Sequence, residues 1–381
     1  MDFTLSDDQR MLADTLGRYL AERYPIARRH AAAVSPLGYD AEVWAALVEL
    51  GAVAALLPPE VDGLGGGGVD IMVVFEQAGR ALVQEPLLGA LMVGQTLARA
   101  EQPARWRPLL QRLQEGAVVA LAHGEPDAHH EPWHVATVAQ RDPGGWVLDG
   151  HKAVVPFGAQ AAGWLVSARL SGAVRDPAGL ALFWVPRETP GVRLRDVRRV
   201  DGGRAAELWL PAVQLGPEAL VAGPAHAAEA LAWGLDVGTL ALCAEALGAM
   251  EVAFEQTRQY LQTRRQFGRP IGSFQALQHR MVDLWMALEQ TRSAVINAAA
   301  ALEEPDVRVR GRALAAAKVT VGRHGTHLAE EAIQLHGGIG MTWELPLAHY
   351  AKRLVLIDHE LGDEDHHLAR YIALSRALEA E

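Results

Sequence analysis

The sequence predicts an α+β protein with an N-terminal all-α domain, a middle antiparallel β domain and a C-terminal four-helix bundle. Three observations carry this. Helical periodicity dominates the first third of the chain. Near residue 117 it gives way to short Val-rich runs separated by turn signals. From about residue 224 the helical period returns and persists. The expected domains are residues 1–116, 117–223 and 224–381. A chain of 381 residues, half of them hydrophobic, is ample for such an arrangement.

The first helix is announced by Ser6 and Gln9. Their S-x-x-Q spacing is that of a capping box, in which each side chain satisfies an orphan backbone donor. Helical patterns follow around 11–21, 42–50 and 70–82. Between the last two lies LLPPEVDGLGGGG (56–68), whose prolines and glycines make a loop. No Gly-Lys-Ser/Thr follows, so a phosphate cradle is not indicated there. The middle runs include HVATVAQRD, GWVLDG, KAVVPFG, GWLVSARL, LALFWVP and AELWLP. Turn signals at 142–145 (DPGG) and 201–203 (DGG) join them as hairpins without intervening helices. That excludes a Rossmann unit. In the last segment Phe274, Leu277, Met281, Leu284 and Leu288 recur at alternating steps of three and four. Such a stripe suits a bundle core. Two Gly-rich breaks interrupt the helices, RRQFGRPIGSFQ (264–275) and QLHGGIGMTW (334–343).

Composition excludes several classes. A net charge of −11 does not fit nucleic-acid binding, which favours a basic face. The single cysteine, Cys243, rules out an internal disulfide and a Cys-rich metal site. It lies in the apolar run ALCAEALG and reads as core. The N-terminus, MDFTLSDDQR, has no apolar signal core. No uninterrupted apolar run of membrane-spanning length stands out, so no transmembrane helix and a cytoplasmic location are expected.

These residues resemble the acyl-CoA dehydrogenase family nearly end to end. The likeness begins with MDFTLSDDQRMLADTLGRYL and LGAVAALLPPEVDGLGGGG, and runs through WVLDGHKAVVPFGAQAAGWLVSAR. Its most specific pieces are YLQTRRQFGRPIGSFQALQHRM and EEAIQLHGGIGMTWELP. The resemblance implies FAD as cofactor, an acyl-CoA thioester as substrate and an electron-transfer flavoprotein as electron acceptor. It implies a tetramer, a dimer of dimers with FAD across a subunit interface. It also implies that Arg264, of R-x-x-F-G, reaches the flavin pyrophosphate of the neighbouring subunit. A cation there is what a pyrophosphate wants. Phe267, Gln275, Gln334, Gly337 and Gly338 match further flavin-contacting positions. In the middle segment the match is looser. The family's T-E-P is Gly124, Glu125 and Pro126 here, and Pro156 replaces a threonine that would face the flavin ring. Proline has no N–H to donate.

The implied reaction is α,β-dehydrogenation. A glutamate removes the α-proton, and burial raises its pKa for that task. The family holds the glutamate at one of two positions. Counting forward from the G-G-x-G turn, the first falls on Leu361, inside DHELGDEDHH (358–367). Counting back from Arg264, the second falls on Gly238. Both are non-acidic. Glu360, one residue early, and Glu245, two helical turns beyond Gly238, are the nearest replacements. The alternatives are a non-catalytic partner subunit of a heterotetramer, with the base on a homologous chain, or a flavin fold without dehydrogenase activity. Asp363 stands where the family has a cofactor-contacting threonine, and its charge needs a neighbour such as His366, His367 or a backbone amide. A metal site in DHELGDEDHH is not expected. Gly362 breaks the helix, and the acidic run from Asp363 to Asp365 reads as a helix start. The adjacent His129 and His130 are no metal signature either.

Overall fold

The computed structural model describes residues 4–380. Six helices come first: α1 (Asp7–Arg23), α2 (Ile26–Val34), α3 (Ala41–Glu49), α4 (Gly68–Ala81), α5 (Leu87–Ala98) and α6 (Arg107–Gln114). Strands β1 (Ala120–Ala122), β2 (Val138–Asp142), β3 (Gly145–Pro156) and β4 (Gly163–Arg169) follow. Then come β5 (Leu180–Pro186), β6 (Arg193–Arg198), β7 (Arg204–Leu215) and β8 (Leu220–Ala222). The chain continues through α7 (Ala227–Thr263), the short strands β9 (Arg265–Gln266) and β10 (Arg269–Pro270), and α8 (Gln275–Ala301). It ends with α9 (Val307–His336), α10 (Leu347–His359) and α11 (Glu364–Glu379). The helical, β, helical order is the one read from the sequence. By contact the residues group into two compact units, one of 1–29, 67–83 and 239–381, the other of 30–66 and 84–238.

In the second unit the sheet order is β6-β7-β3-β2-β4-β5-β8, with β1 also on β4. Both expected hairpins form. Asp142 pairs with Gly145 across the DPGG turn, and Arg198 with Arg204 across the DGG turn. The sheet is mixed, however, not antiparallel throughout. β1 and the start of β2 both pair with β4 in parallel. Turn signals report only pairings between neighbours in sequence. The long segment from 123 to 137 lets the chain return in the other sense, and nothing local marks that. The sheet's inner face buries Trp146, Leu148, Trp164, Val166, Phe183 and Leu208. Each such side chain contributes about 1.5–3 kcal/mol.

In the first unit Ser6 caps α1 as expected. Its hydroxyl accepts from the Gln9 N–H, and the Gln9 side chain returns a bond to the Ser6 N–H. Helix α4 lies directly on α7, because a Cβ on Gly79 would fall 1.9 Å from the Glu245 carbonyl oxygen and one on Gly248 2.0 Å from that of Glu76. Two expectations need correction. Helix α7 is in fact long and apolar enough by composition to cross a membrane, but 83% of its most apolar window is buried inside the protein. Scattered carboxylates such as Asp236 and Glu245 hid that run. The α8 stripe is core only in part. Leu284 and Leu288 are buried, whereas Phe274, Leu277 and Met281 are half-buried and Val282, Trp285 and Met286 are exposed. Periodicity identifies a face, not what covers it.

Candidate functional site

The residues predicted to bind flavin occupy two loops of the helical unit. After α7 the chain makes a two-residue turn at Phe267 and Gly268, both with left-handed φ, between β9 and β10. The Phe267 ring is 89% exposed, touching Phe274 edge-on at 6.0 Å. Arg264 is anchored by its backbone. Its N–H donates to Tyr260 and its carbonyl accepts from Ile271. Its guanidinium is exposed and has no carboxylate partner among the described residues. Gln275 opens α8, also exposed. On the other loop Gln334 is exposed in the last turn of α9, and its carbonyl accepts from the Gly337 N–H. A Cβ on Gly337 or Gly338 would meet nothing within 4 Å, so backbone is open to approach there. Tyr260 and His336 stack at 4.3 Å, which brings the two loops together. The His336 Nδ1–H donates to the Ala332 carbonyl, and burial holds the ring's pKa below its usual value. Neither ring was singled out from sequence.

The candidate bases have a different fate. Glu245 and Glu360 converge on one buried guanidinium, that of Arg353. Its Nε and Nη2 donate to the two Glu245 oxygens at 2.5 and 2.7 Å. Its Nη1 donates to Glu360 at 3.0 Å. The bidentate bond occupies both carboxylate oxygens of Glu245. Breaking such a buried pair costs on the order of 3–5 kcal/mol. Arg353 was missed from sequence, although it precedes Glu360 by seven residues, two turns along one face.

The loop that carries Glu360 is pinned. Helix α10 ends at His359, Leu361 and Gly362 take left-handed φ values of 55° and 106°, and α11 starts at Glu364. The buried Lys318 Nζ donates to the carbonyls of Asp358, at 2.8 Å, and Gly362, at 2.5 Å. The His367 Nε2–H donates to the Leu361 carbonyl at 2.8 Å. Burial holds the His367 pKa at about 3 and the Lys318 pKa below its usual value. Asp363 is the N-cap of α11, accepting from the His366 N–H at 2.8 Å. Its charge is met by a backbone amide, one of the neighbours anticipated. Among the described residues no group of three or more His, Cys, Asp or Glu is placed to hold a metal. Lys318 had a sequence signal, a lone lysine in the apolar run ALAAAKVTVG. Cys243 is fully buried, and its thiol is pushed up to about 12 by burial.

In the sheet-bearing unit Glu125 is committed to structure. Its carboxylate accepts from Lys152 Nζ at 2.6 Å, Thr137 Oγ1 at 2.6 Å and the N–H groups of Ala136 and Thr137. Burial alone would raise its pKa, but the Lys152 ion pair and these bonds outweigh that and hold it at about 2. Burial lowers Lys152 to about 8 against the pull of Glu125. Beside this pair the Ala153 N–H bonds the Gly124 carbonyl at 2.8 Å. Val154 is 62% exposed with a φ of 52°, a strained setting for a β-branched residue. Pro156 closes β3 two residues later.

Models of the acyl-CoA dehydrogenase N-terminal, middle and C-terminal domains match residues 6–114, 120–211 and 228–370. The chain belongs to the acyl-CoA dehydrogenase family. It is 30% identical over 351 residues to acyl-CoA dehydrogenase IpdE2 of Mycobacterium tuberculosis, covering 92% of each chain. Among solved structures it is similar to a variant of the Tcur3481-Tcur3483 steroid ACAD. That likeness has 31% identity, a TM-score of 0.88 and coverage of 99% of this chain and 100% of that one. The ChsE4-ChsE5 complex from Mycobacterium tuberculosis shares the fold, with a TM-score of 0.88 at 24% identity over the whole of both chains.

The family implies FAD, and the first pair of loops fits it. An uncommitted guanidinium at Arg264 and open backbone at Gly337 and Gly338 suit a pyrophosphate, and the exposed Phe267 ring suits a planar group. The two positions expected from the sequence to carry the base, Leu361 and Gly238, lie in the pinned loop and within α7.

Proposed function

We propose that this chain is the base-lacking subunit of a heterotetrameric, FAD-dependent acyl-CoA dehydrogenase whose other subunit supplies the catalytic carboxylate. The capture of both Glu245 and Glu360 by Arg353 carries this reading. Neither carboxylate is poised for proton abstraction. The bonds from Lys318 and His367 hold the loop against the shift that would bring Glu360 to the base position. Support also comes from two similar structures, the Tcur3481-Tcur3483 steroid ACAD and the ChsE4-ChsE5 complex, each named for two chains.

In this reading Arg264, Phe267, Gln275, Gln334, Gly337 and Gly338 hold the cofactor. Arg264 pairs with its pyrophosphate, and the glycine turn lets backbone N–H groups come close. Bound FAD supplies the hydride acceptor for α,β-dehydrogenation of an acyl-CoA thioester, with an electron-transfer flavoprotein downstream. Arg264 and Phe267 project from the helical unit and are suited to a flavin shared with a neighbouring subunit.

A second reading, with Glu360 as a relocated base, draws on one observation. Arg353 Nη1 reaches Glu360 at 3.0 Å, a longer bond than the two it makes to Glu245. One experiment separates the two. The chain is purified alone and after co-expression with a base-bearing homologue. Flavin absorbance and acyl-CoA-driven bleaching are measured in both. The mixed-assembly reading expects bleaching only in the co-expressed sample, unaffected by Glu360→Gln. Bleaching by the chain alone, abolished by Glu360→Gln, would establish the relocated base instead.

A further inference from the structure

The helical unit contains a cleft of about 560 Å³ whose lining includes none of the residues assigned to FAD or to the Arg353 cluster. Its size falls within the range of small-molecule sites. Small residues make it. Ala13, Gly17 and Ala21 succeed one another at four-residue steps on one face of α1, leaving a trough along that helix. A Cβ on Gly17 would come 2.8 Å from Gln77 Oε1, so the glycine gives the amide its room.

The floor is apolar. Leu20, Tyr24 and Tyr350 are buried, and Val252 and Pro346 also line it. The Tyr350 hydroxyl is committed to the Arg80 carbonyl at 2.6 Å, and burial pushes its pKa up to about 12. The ring is therefore a neutral wall. The rim differs between its two cations. Arg80 is paired with Glu251. Arg18 donates from Nε to the Asp14 carbonyl at 3.2 Å, and its guanidinium has no carboxylate partner among the described residues. Asp14 also lines the cleft, and its carboxylate offsets part of the Arg18 charge, so that a polyanion would be repelled.

We propose that this cleft binds an amphiphilic monoanion, a small molecule with an apolar body and one carboxylate head, with Arg18 receiving the head. The apolar body lies in the trough against Tyr24 and Tyr350. A single uncommitted cation matches one charge and falls short of the several phosphates of a coenzyme A ester. The site is separate from the flavin loops, so it does not depend on the function proposed above.

Sodium octanoate is the probe, titrated calorimetrically into the full chain, with octanamide as its uncharged counterpart. Saturable binding of octanoate is expected, with octanamide roughly tenfold weaker, the worth of one charge-assisted bond. Arg18→Glu is expected to weaken octanoate by at least that factor. Ala21→Trp, at an exposed position, is expected to abolish binding by filling the trough. Arg376→Glu on α11 makes the same charge change elsewhere and is expected to leave affinity intact. Absence of saturable binding overturns the proposal. So does binding that survives both Arg18→Glu and Ala21→Trp, which would seat octanoate elsewhere, or that falls equally in Arg376→Glu.

Discussion

The Arg264 loop and the Glu360 loop look alike in sequence. Each follows a helix, carries charge and contains a glycine. In the structure they are opposites. Arg264, Phe267 and Gln334 stand exposed, and the glycine turn beside them opens onto space. In the other loop Arg353 takes both nearby carboxylates, and Lys318 and His367 take the carbonyls of Asp358, Leu361 and Gly362. Groups available for a ligand are those the protein leaves unspent. Groups already bonded within a buried network serve the fold, and releasing them costs several kcal/mol.

The contrast can be broken most forcefully at Arg353. Arg353→Met leaves two carboxylates without their guanidinium, and a loss of about 3–5 kcal/mol in unfolding free energy is expected by urea titration. Adding Glu245→Met removes one of the two stranded charges and should recover part of that loss. If the single change has no effect, the Arg353 cluster does not constrain the fold.

Acid should test the second loop more gently. His367 is buried and largely neutral, its folded pKa about 3 against an ordinary 6.5. Between those values the unfolded chain binds more protons than the folded one. Its contribution is thus complete near neutrality and is lost as pH falls from 6.5 towards 3. His367→Gln keeps an N–H donor for the Leu361 carbonyl and cannot titrate. It should flatten the decline of melting temperature across that window. Glu125, depressed to about 2, adds its own loss below pH 4.5 in wild type and variant alike.

The smallest effect on stability is expected at Arg264. Arg264 is exposed and has no carboxylate partner among the described residues, so Arg264→Ala should change unfolding free energy by about 0.5 kcal/mol or less. FAD retained after gel filtration should nevertheless fall sharply. A large stability loss with unchanged flavin content would reverse the contrast between the loops.

Much of this was legible beforehand, and the exceptions follow a pattern. The SDDQ cap, the DPGG and DGG turns and the helical stretches depend on residues within a few positions of one another, so local chemistry announces them. The parallel pairings of β4 depend on strands separated by long segments. The half-exposed α8 stripe depends on what packs against it. The residues proposed to hold flavin could be singled out because their spacing is fixed within two short segments. Tyr260 and His336, which join those segments, come from different helices and were not.

The sequence by itself determined the helical, β, helical order, the family and the absence of a carboxylate at Leu361 and Gly238. It also placed Glu245 and Glu360 on the short list of replacements. Only the tertiary structure decided what those two glutamates do. Glu245 and Arg353 are 108 residues apart, and their meeting depends on how α7 and α10 pack. An ion pair is set by distance through space, and no spacing along the chain encodes it.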